Sequence, residues 1–296
     1  MAAIKSYASP VYVRLLGGLG NQLFQYAMGR NLADQRGAEL VLDSRFILRK
    51  HCVSGLAIDH FNIRSRYLNA TELKQYSELS WKFTRALRWK LRPVLGFYHE
   101  TLYGFDANLC KQSSASMLSG FWQSHKYFSP TVSLLQDLTL AKGLPDDALL
   151  VAEQMGATNS VAIHVRRGDY LSDPKALVKH GICSGEYYNE ALRFINSKVQ
   201  EPTYFVFSDD PEWVKDNLDL RDAIFVSDAG FAPEVDLVMI GKCKHQIIAN
   251  SSFSWWGAYL NKNPHKLVVA PTPWFDDAEN YPDRDLIPPN WKIIDK

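Results

Sequence analysis

The chain has 296 residues, a formal net charge of +1, 46% hydrophobic and 22% charged residues. That balance belongs to a globular protein with a real core, and it excludes the strongly basic face that binding to nucleic acid requires. Cys52, Cys110, Cys183 and Cys243 are scattered without a C-x-x-C pair or zinc-like spacing, as suits a reducing compartment. Met1 to Pro10 holds no signal-peptide core and no run approaches the ~18 apolar residues of a membrane span, so a soluble cytoplasmic protein is expected.

Val11 to Leu16 reads as a strand, and Gly17-Gly18-Leu19-Gly20 then forces a tight turn. Asn21 to Gln35 carries Leu23, Phe24, Ala27, Met28 and Leu32 at helical spacing, and Glu39 to Asp43 reads as a second strand. Residues 51–129 are aromatic and mixed and yield no clear pattern. Gly143-Leu144-Pro145-Asp146-Asp147 is a breaker cluster close to a domain boundary, and two domains, 1–155 and 156–296, are expected. Strands are expected at Ser160–Val165, Thr203–Ser208, Ala223–Val226, His245–Ala249 and Leu267–Ala270. Helices are expected near Glu186–Lys198, from Pro211, and over Phe253–Asn261. Alternation of this kind implies mostly parallel sheets covered on both faces, hence two Rossmann-like α/β halves.

Chemistry-bearing residues fall in the loops after strands, where ligands of open α/β sheets sit. Strand 160–165 runs into His164, Arg166, Arg167, Gly168 and Asp169. Two guanidiniums at a sheet edge present rigid forks that match phosphate oxygens, so the expected ligand is a phosphate or diphosphate; an arginine salt-bridged to Asp169 is the structural alternative. The first loop fails the dinucleotide fingerprint, because Leu23 stands where the third glycine belongs, although Asp43 sits where a ribose-binding acid would. Gly18, Gly20, Asn21 and Gln22 instead put glycines and two amides at a helix N-terminus, which favours an anion; a capping role accounts for Asn21 alone. Asp209 and Asp210 end strand 203–208, as a base or sugar acceptor, a metal ligand, or a cap for the helix that Pro211 begins. Ser251 and Ser252 open another helix and form a second anion cradle, with Trp255 and Trp256 either filling core or touching ligand. Asp283-Arg284-Asp285 is the one D-x-D, in a proline-flanked loop, and no metal site is expected there.

Taken together, GGLGNQLFQYAMGRNLA at 17–33, HVRRGDY at 164–170, GEYYNEAL at 185–192, FVFSDD at 205–210, CKHQIIANSSFSWWGAYLN at 243–261 and VAPTPWF at 269–275 resemble the α1,2-fucosyltransferase family of bacterial type. The resemblance implies a GT-B fold, two Rossmann-like domains facing across a cleft. It also implies inverting transfer of L-fucose from GDP-β-L-fucose to the 2-hydroxyl of a galactoside such as lactose or a lipid-linked oligosaccharide, with no metal or other cofactor. It places Arg166 on the β-phosphate, His164 and Arg167 at the nucleotide, Asn21 near the diphosphate, one of Asp209 and Asp210 on guanine, and Ser251 and Ser252 on the phosphates. Asp169 is the nearest motif carboxylate for a general base, or it holds the arginines in place.

Trp81 to Arg92 carries Lys82, Arg85, Arg88 and Arg92 on one helical arc with Trp81 and Trp89, and Phe83, Ala86, Leu87 and Leu91 opposite. Such a helix lies on an anionic membrane surface, giving peripheral contact at the inner face of the membrane, or is a core helix with a solvated basic face.

Overall fold

The computed structural model describes residues 9–48, 55–76, 96–100, 103–109, 116–220, 222–282 and 285–296, with the side chain of Asp169 excepted. The basic segment 81–92, Cys52, Cys110, and Asp283 and Arg284 of the D-x-D lie outside the described residues. The chain forms two compact units, Met1–Leu138 with Arg284–Leu286, and Thr139–Asp283 with Ile287–Lys296.

In the first unit five strands pair in parallel in the order β3-β2-β1-β5-β4. They are β1 (Val11–Arg14), β2 (Leu40–Asp43), β3 (Arg66–Tyr67), β4 (Phe97–His99) and β5 (Met117–Ser119). A helix, Leu19–Arg36, joins β1 to β2; it ends on Gly37, whose left-handed backbone returns its N–H to Ala33 and Asp34. One side of the sheet buries Tyr12, Val41, Tyr76, Phe97 and Met117 together. Gly29 lets the helix lie close to the strands, since a Cβ there would come within 2.7 Å of Val13 and 2.8 Å of Leu40. Close helix–strand packing is the task of the third glycine in a dinucleotide fingerprint. Here it falls six residues after Leu23.

The second unit has six parallel strands in the order β11-β10-β9-β6-β7-β8. They are β6 (Asn159–Val165), β7 (Pro202–Ser208), β8 (Ile224–Phe225), β9 (His245–Ile247), β10 (Val268–Thr272) and β11 (Lys292–Asp295). Side chains alternate across the pleat, so Val161, Ile163 and Val165 face Tyr187, Tyr188, Ala191 and Ile195 of the helix Gly185–Asn196. Ala162, Phe205 and Phe207 face Ala148 and Met155 of the helix Asp146–Ala157 and Val235, Met239 and Ile240 of the helix Pro233–Lys242. Both faces are covered, which is why these strands read as unbroken apolar runs.

Several expectations change. The helix 146–157 packs on the second sheet, so the division falls near residue 139 and not at 155. The strand expected over Ala223–Val226 shortens to two residues, and Val226–Ala229 forms a 3-10 turn. The helices 146–157, Gly168–Ser172, Pro174–His180 and 233–242, and strand β11, are additional to the expected elements.

Candidate active site

In each sheet the strand order reverses at one place, and a crevice opens there beyond the carboxyl ends of the strands. In the second unit the chain runs β6, β7, β8 to one side and β9, β10, β11 to the other, so the switch lies between β6 and β9. The loops that leave these two strands are Arg166-Arg167 and Ile248 to Ser251.

The twin arginines take different environments. Arg167 stacks its guanidinium 4.1 Å above the Trp213 ring, donates from Nε to Asp210 at 3.2 Å, and donates its backbone N–H to Asp209 at 2.8 Å. Arg166 meets the Asp209 carboxylate at 3.3 Å and is 36% exposed against 13% for Arg167. Packing holds Arg167 in place, and Arg166 is the more exposed of the two at the switch point. Asp210 also accepts from the backbone N–H of Trp213, capping the helix Pro211–Asn217. Asp209 and Asp210 are therefore engaged in ordering the arginine loop, and Asp210 also takes the capping role that was one of the readings expected of the pair. Gly168 fits against Asp209, whose carboxylate lies 3.3 Å from where a Cβ would stand.

His164 is buried beside Phe253, and its Nδ1 has no hydrogen-bond partner. Burial first and the Arg166 charge second push its pKa down to about 3, so the ring is neutral. On the same face of the sheet, the first turn of helix 233–242 carries Asp236. One oxygen of this carboxylate is buried without a partner, and burial raises its pKa to about 7. A carboxylate with one buried and unused oxygen is a group that lacks its donor. No motif marked Asp236; the available signal was an acid set between Val235, Leu237, Met239 and Ile240, in a helix otherwise apolar toward the sheet.

Ser251 stands at the N-terminal boundary of the helix Ser252–Leu260, but its side chain makes no capping bond to the amides of the first turn. Those N–H groups and the helix dipole make an anion cradle. Trp255 and Trp256 do not join it. Both are fully buried, Trp255 stacking on Tyr259 at 4.7 Å, so they fill the core. The close approach that Gly257 permits is between helices, since a Cβ there would lie 2.5 Å from Ile240. Asn250 is a tether, its amide donating to His180 at 2.7 Å and Trp274 at 3.2 Å.

In the first unit the switch lies between β1 and β5. Gly17 takes the left-handed backbone of the β1 loop, φ 75°, and a Cβ there would fall 2.5 Å from the Asn21 amide nitrogen. Gly18 is the extended cap of helix 19–36 and Gly20 is buried within its first turn. Gln22 is buried and spent on backbone: it donates to Gly17 and Gly55 and accepts from Ile58. It clamps loops where ligand contact was expected. Gln25, also buried, accepts from Leu16 N–H and donates to the carbonyls of Leu16 and Gly120, joining the β1 and β5 loops. Asn21 accepts from Gln123 at 2.6 Å.

Among the described residues no three His, Cys, Asp or Glu side chains gather as a cation site. None of the described helices is long and apolar enough to cross a membrane. Cys183 and Cys243 are free and buried, and burial raises both thiol pKa values.

Two parallel α/β units, one with twin arginines and an open helix N-terminus at its switch point, give the chain a GT-B-type fold. Residues 113–295 match the model of glycosyl transferase family 11, and the chain belongs to that family. It is 35% identical over 295 residues to an alpha-1,2-colitosyltransferase of Escherichia coli, across 97% of this chain and 100% of that one. It is 31% identical over 293 residues to the O-antigen biosynthesis glycosyltransferase WbnK of Escherichia coli, across 90% and 95%. In fold it is similar to the alpha-1,6-fucosyltransferase NodZ co-crystallised with GDP, a Bradyrhizobium protein, at TM-score 0.52 and 13% identity over 86% of this chain and 93% of that one.

Proposed function

We propose that this glycosyltransferase moves L-fucose from GDP-β-L-fucose to the 2-hydroxyl of a terminal galactose in a glycan, with inversion. The arrangement at the β6–β9 switch point carries the reading: a partly exposed Arg166, a packed Arg167 and an uncapped helix N-terminus at 252, in a chain of family 11. Inversion requires an oxocarbenium-like transition state with the hydroxyl entering on one face as GDP leaves from the other. Negative charge then grows on the β-phosphate, and a preorganised donor aimed at it is worth about 3–4 kcal/mol. Arg166 is that donor, and the first-turn amides after Ser251 hold the remaining phosphate oxygens. With these cationic and dipolar groups on the diphosphate, departure of GDP calls for no metal. Asp236 supplies the acceptor for guanine, whose N1–H and exocyclic amine form a donor pair that one carboxylate accepts together. Asp169, next to the arginines, is the proposed general base, and Asn21 the proposed polar group of the first unit at the reacting sugars.

Mass spectrometry of protein with GDP-fucose, lactose and EDTA tests the whole. The expected product is lactose heavier by one deoxyhexose, linked at the galactose 2-hydroxyl; inertness together with no stabilisation by GDP would sink the reading. Asp169→Asn separates the base: transfer at the parent rate would remove Asp169 from that role. A second donor is favoured by the alpha-1,2-colitosyltransferase similarity. Colitose differs from fucose only in lacking the 3-hydroxyl, and competition between GDP-fucose and GDP-colitose decides between them. The lipid-linked nature of many bacterial acceptors motivates peripheral membrane attachment through 81–92. Vesicle co-sedimentation of the Lys82/Arg85/Arg88 triple glutamate variant checks it, and binding unchanged from the parent would discard it.

A further inference from the structure

The loop Gly120–Ser124, which leaves β5 at the switch point of the first unit, is built with more care than a connection needs. Trp122 stands in the left-handed region at φ 56°, a conformation that a bulky side chain rarely adopts. Strain of this kind persists only where surroundings over-determine it, and it concentrates at ligand sites. The surroundings are visible here. Glu100, just past β4, accepts from the backbone N–H groups of both Phe121 and Trp122. The buried Trp122 ring lies parallel to Tyr98 and edge-on to Tyr127, and Gln25 ties Gly120 to the β1 loop. With Trp122 locked inward, its neighbours Phe121 and Gln123 are both partly exposed at the edge of the sheet. Gln123 donates to the Asn21 amide oxygen at 2.6 Å, which leaves the carbonyl end of Gln123 and the amino end of Asn21 to meet hydroxyls.

A ring face set beside fixed amides suits a neutral sugar, which offers a patch of C–H bonds on one face and hydroxyls around its rim. Among the described residues the carboxylate at this loop, Glu100, accepts from backbone, and the partly exposed polar side chains that meet beside Phe121 are the uncharged amides of Gln123 and Asn21. We propose that Phe121 and Gln123 form the subsite for the terminal hexose of the acceptor, Phe121 stacking on its C–H face and Gln123, oriented by Asn21, reading its hydroxyls. This deepens the functional reading above and rests on it.

Steady-state kinetics of the full chain with lactose, using whichever of GDP-fucose and GDP-colitose the parent accepts, tests the subsite. Phe121→Ala and Phe121→Leu are expected to raise the acceptor KM about tenfold, with donor KM and acceptor-free donor hydrolysis unchanged, and Phe121→Trp to restore it. Gln123→Ala is expected to raise acceptor KM as well. Thermal midpoint with and without GDP establishes that each variant is folded, and Phe121→Leu keeps apolar bulk should the alanine variant fail. A parent that transfers, with Phe121→Leu and Gln123→Ala both at parental acceptor KM, overturns the subsite and leaves the function standing. A parent that transfers from neither donor overturns the functional reading, and the subsite falls with it.

Discussion

The two adjacent arginines should separate cleanly under mutation. Truncating Arg167 to Ala removes a guanidinium stacked 4.1 Å from the Trp213 ring, worth about 1 kcal/mol. It also removes a 3.2 Å ion pair to Asp210, worth about 1 kcal/mol once solvent screening is discounted. Together these make about 2 kcal/mol, or a fall of about 4–8 °C in the midpoint of a unit of this size. Arg166→Ala removes a guanidinium 36% exposed whose contact with Asp209 is 3.3 Å, worth under about 1 kcal/mol or at most about 4 °C. On turnover the order inverts. Loss of the Arg166 donor should lower kcat by about 10²–10³-fold. Calorimetric melts beside transfer rates at saturating GDP-fucose read both quantities on the same preparations. Equal melting losses for the two variants, or Arg166→Ala at the parental kcat, would refute the division of labour.

Further outcomes follow from named contacts. His164, with its folded pKa depressed to about 3, binds its proton less readily folded than unfolded, so it makes stability rise with pH between about 3 and 6.5. Asp236, raised to about 7, keeps its proton longer when folded and makes stability fall with rising pH between about 4 and 7. The slopes oppose, each at most about 1.4 kcal/mol per pH unit. Guanidinium unfolding of Asp236→Asn should therefore show stability rising more steeply with pH than in the parent, and His164→Gln less steeply; parallel curves would contradict both assignments. The Asp236→Asn variant should also lose most of the thermal shift that GDP gives the parent, whereas retention of the full shift would remove Asp236 from the guanine site. Gly257→Ala drives a methyl to 2.5 Å from Ile240 and 3.1 Å from the Leu237 carbonyl oxygen, so a loss of about 1–3 kcal/mol is expected in denaturant melts. Gln25→Leu leaves the N–H and carbonyl of Leu16 and the carbonyl of Gly120 without their buried partner. It should destabilise by at least about 2 kcal/mol, and a variant as stable as the parent would show that the clamp is idle.

How much of this was legible in the chain depends on whether a residue's task is local. The sequence alone determined the elements flanking the two special loops, because a glycine turn after a strand and apolar residues at helical or unbroken spacing act over a few neighbours. It also determined the family and the place of the arginine loop, since those motifs are runs of consecutive residues. Tertiary structure alone decided which functional-looking residues face the crevice. Gln22, Trp255 and Trp256 sit in motif runs yet are buried, because a helix turns successive side chains through about 100° and only its packing partners decide which face goes inward. That Asp209 and Asp210 brace Arg166, Arg167 and the Trp213 amide also came only with the fold. Asp236 gave only the sign of an acid among apolar residues, and the strained Trp122 loop gave none. Their character comes from burial and from partners far along the chain, Glu100 lying 22 residues from Trp122, and such pairings exist only once strands from distant segments are laid side by side.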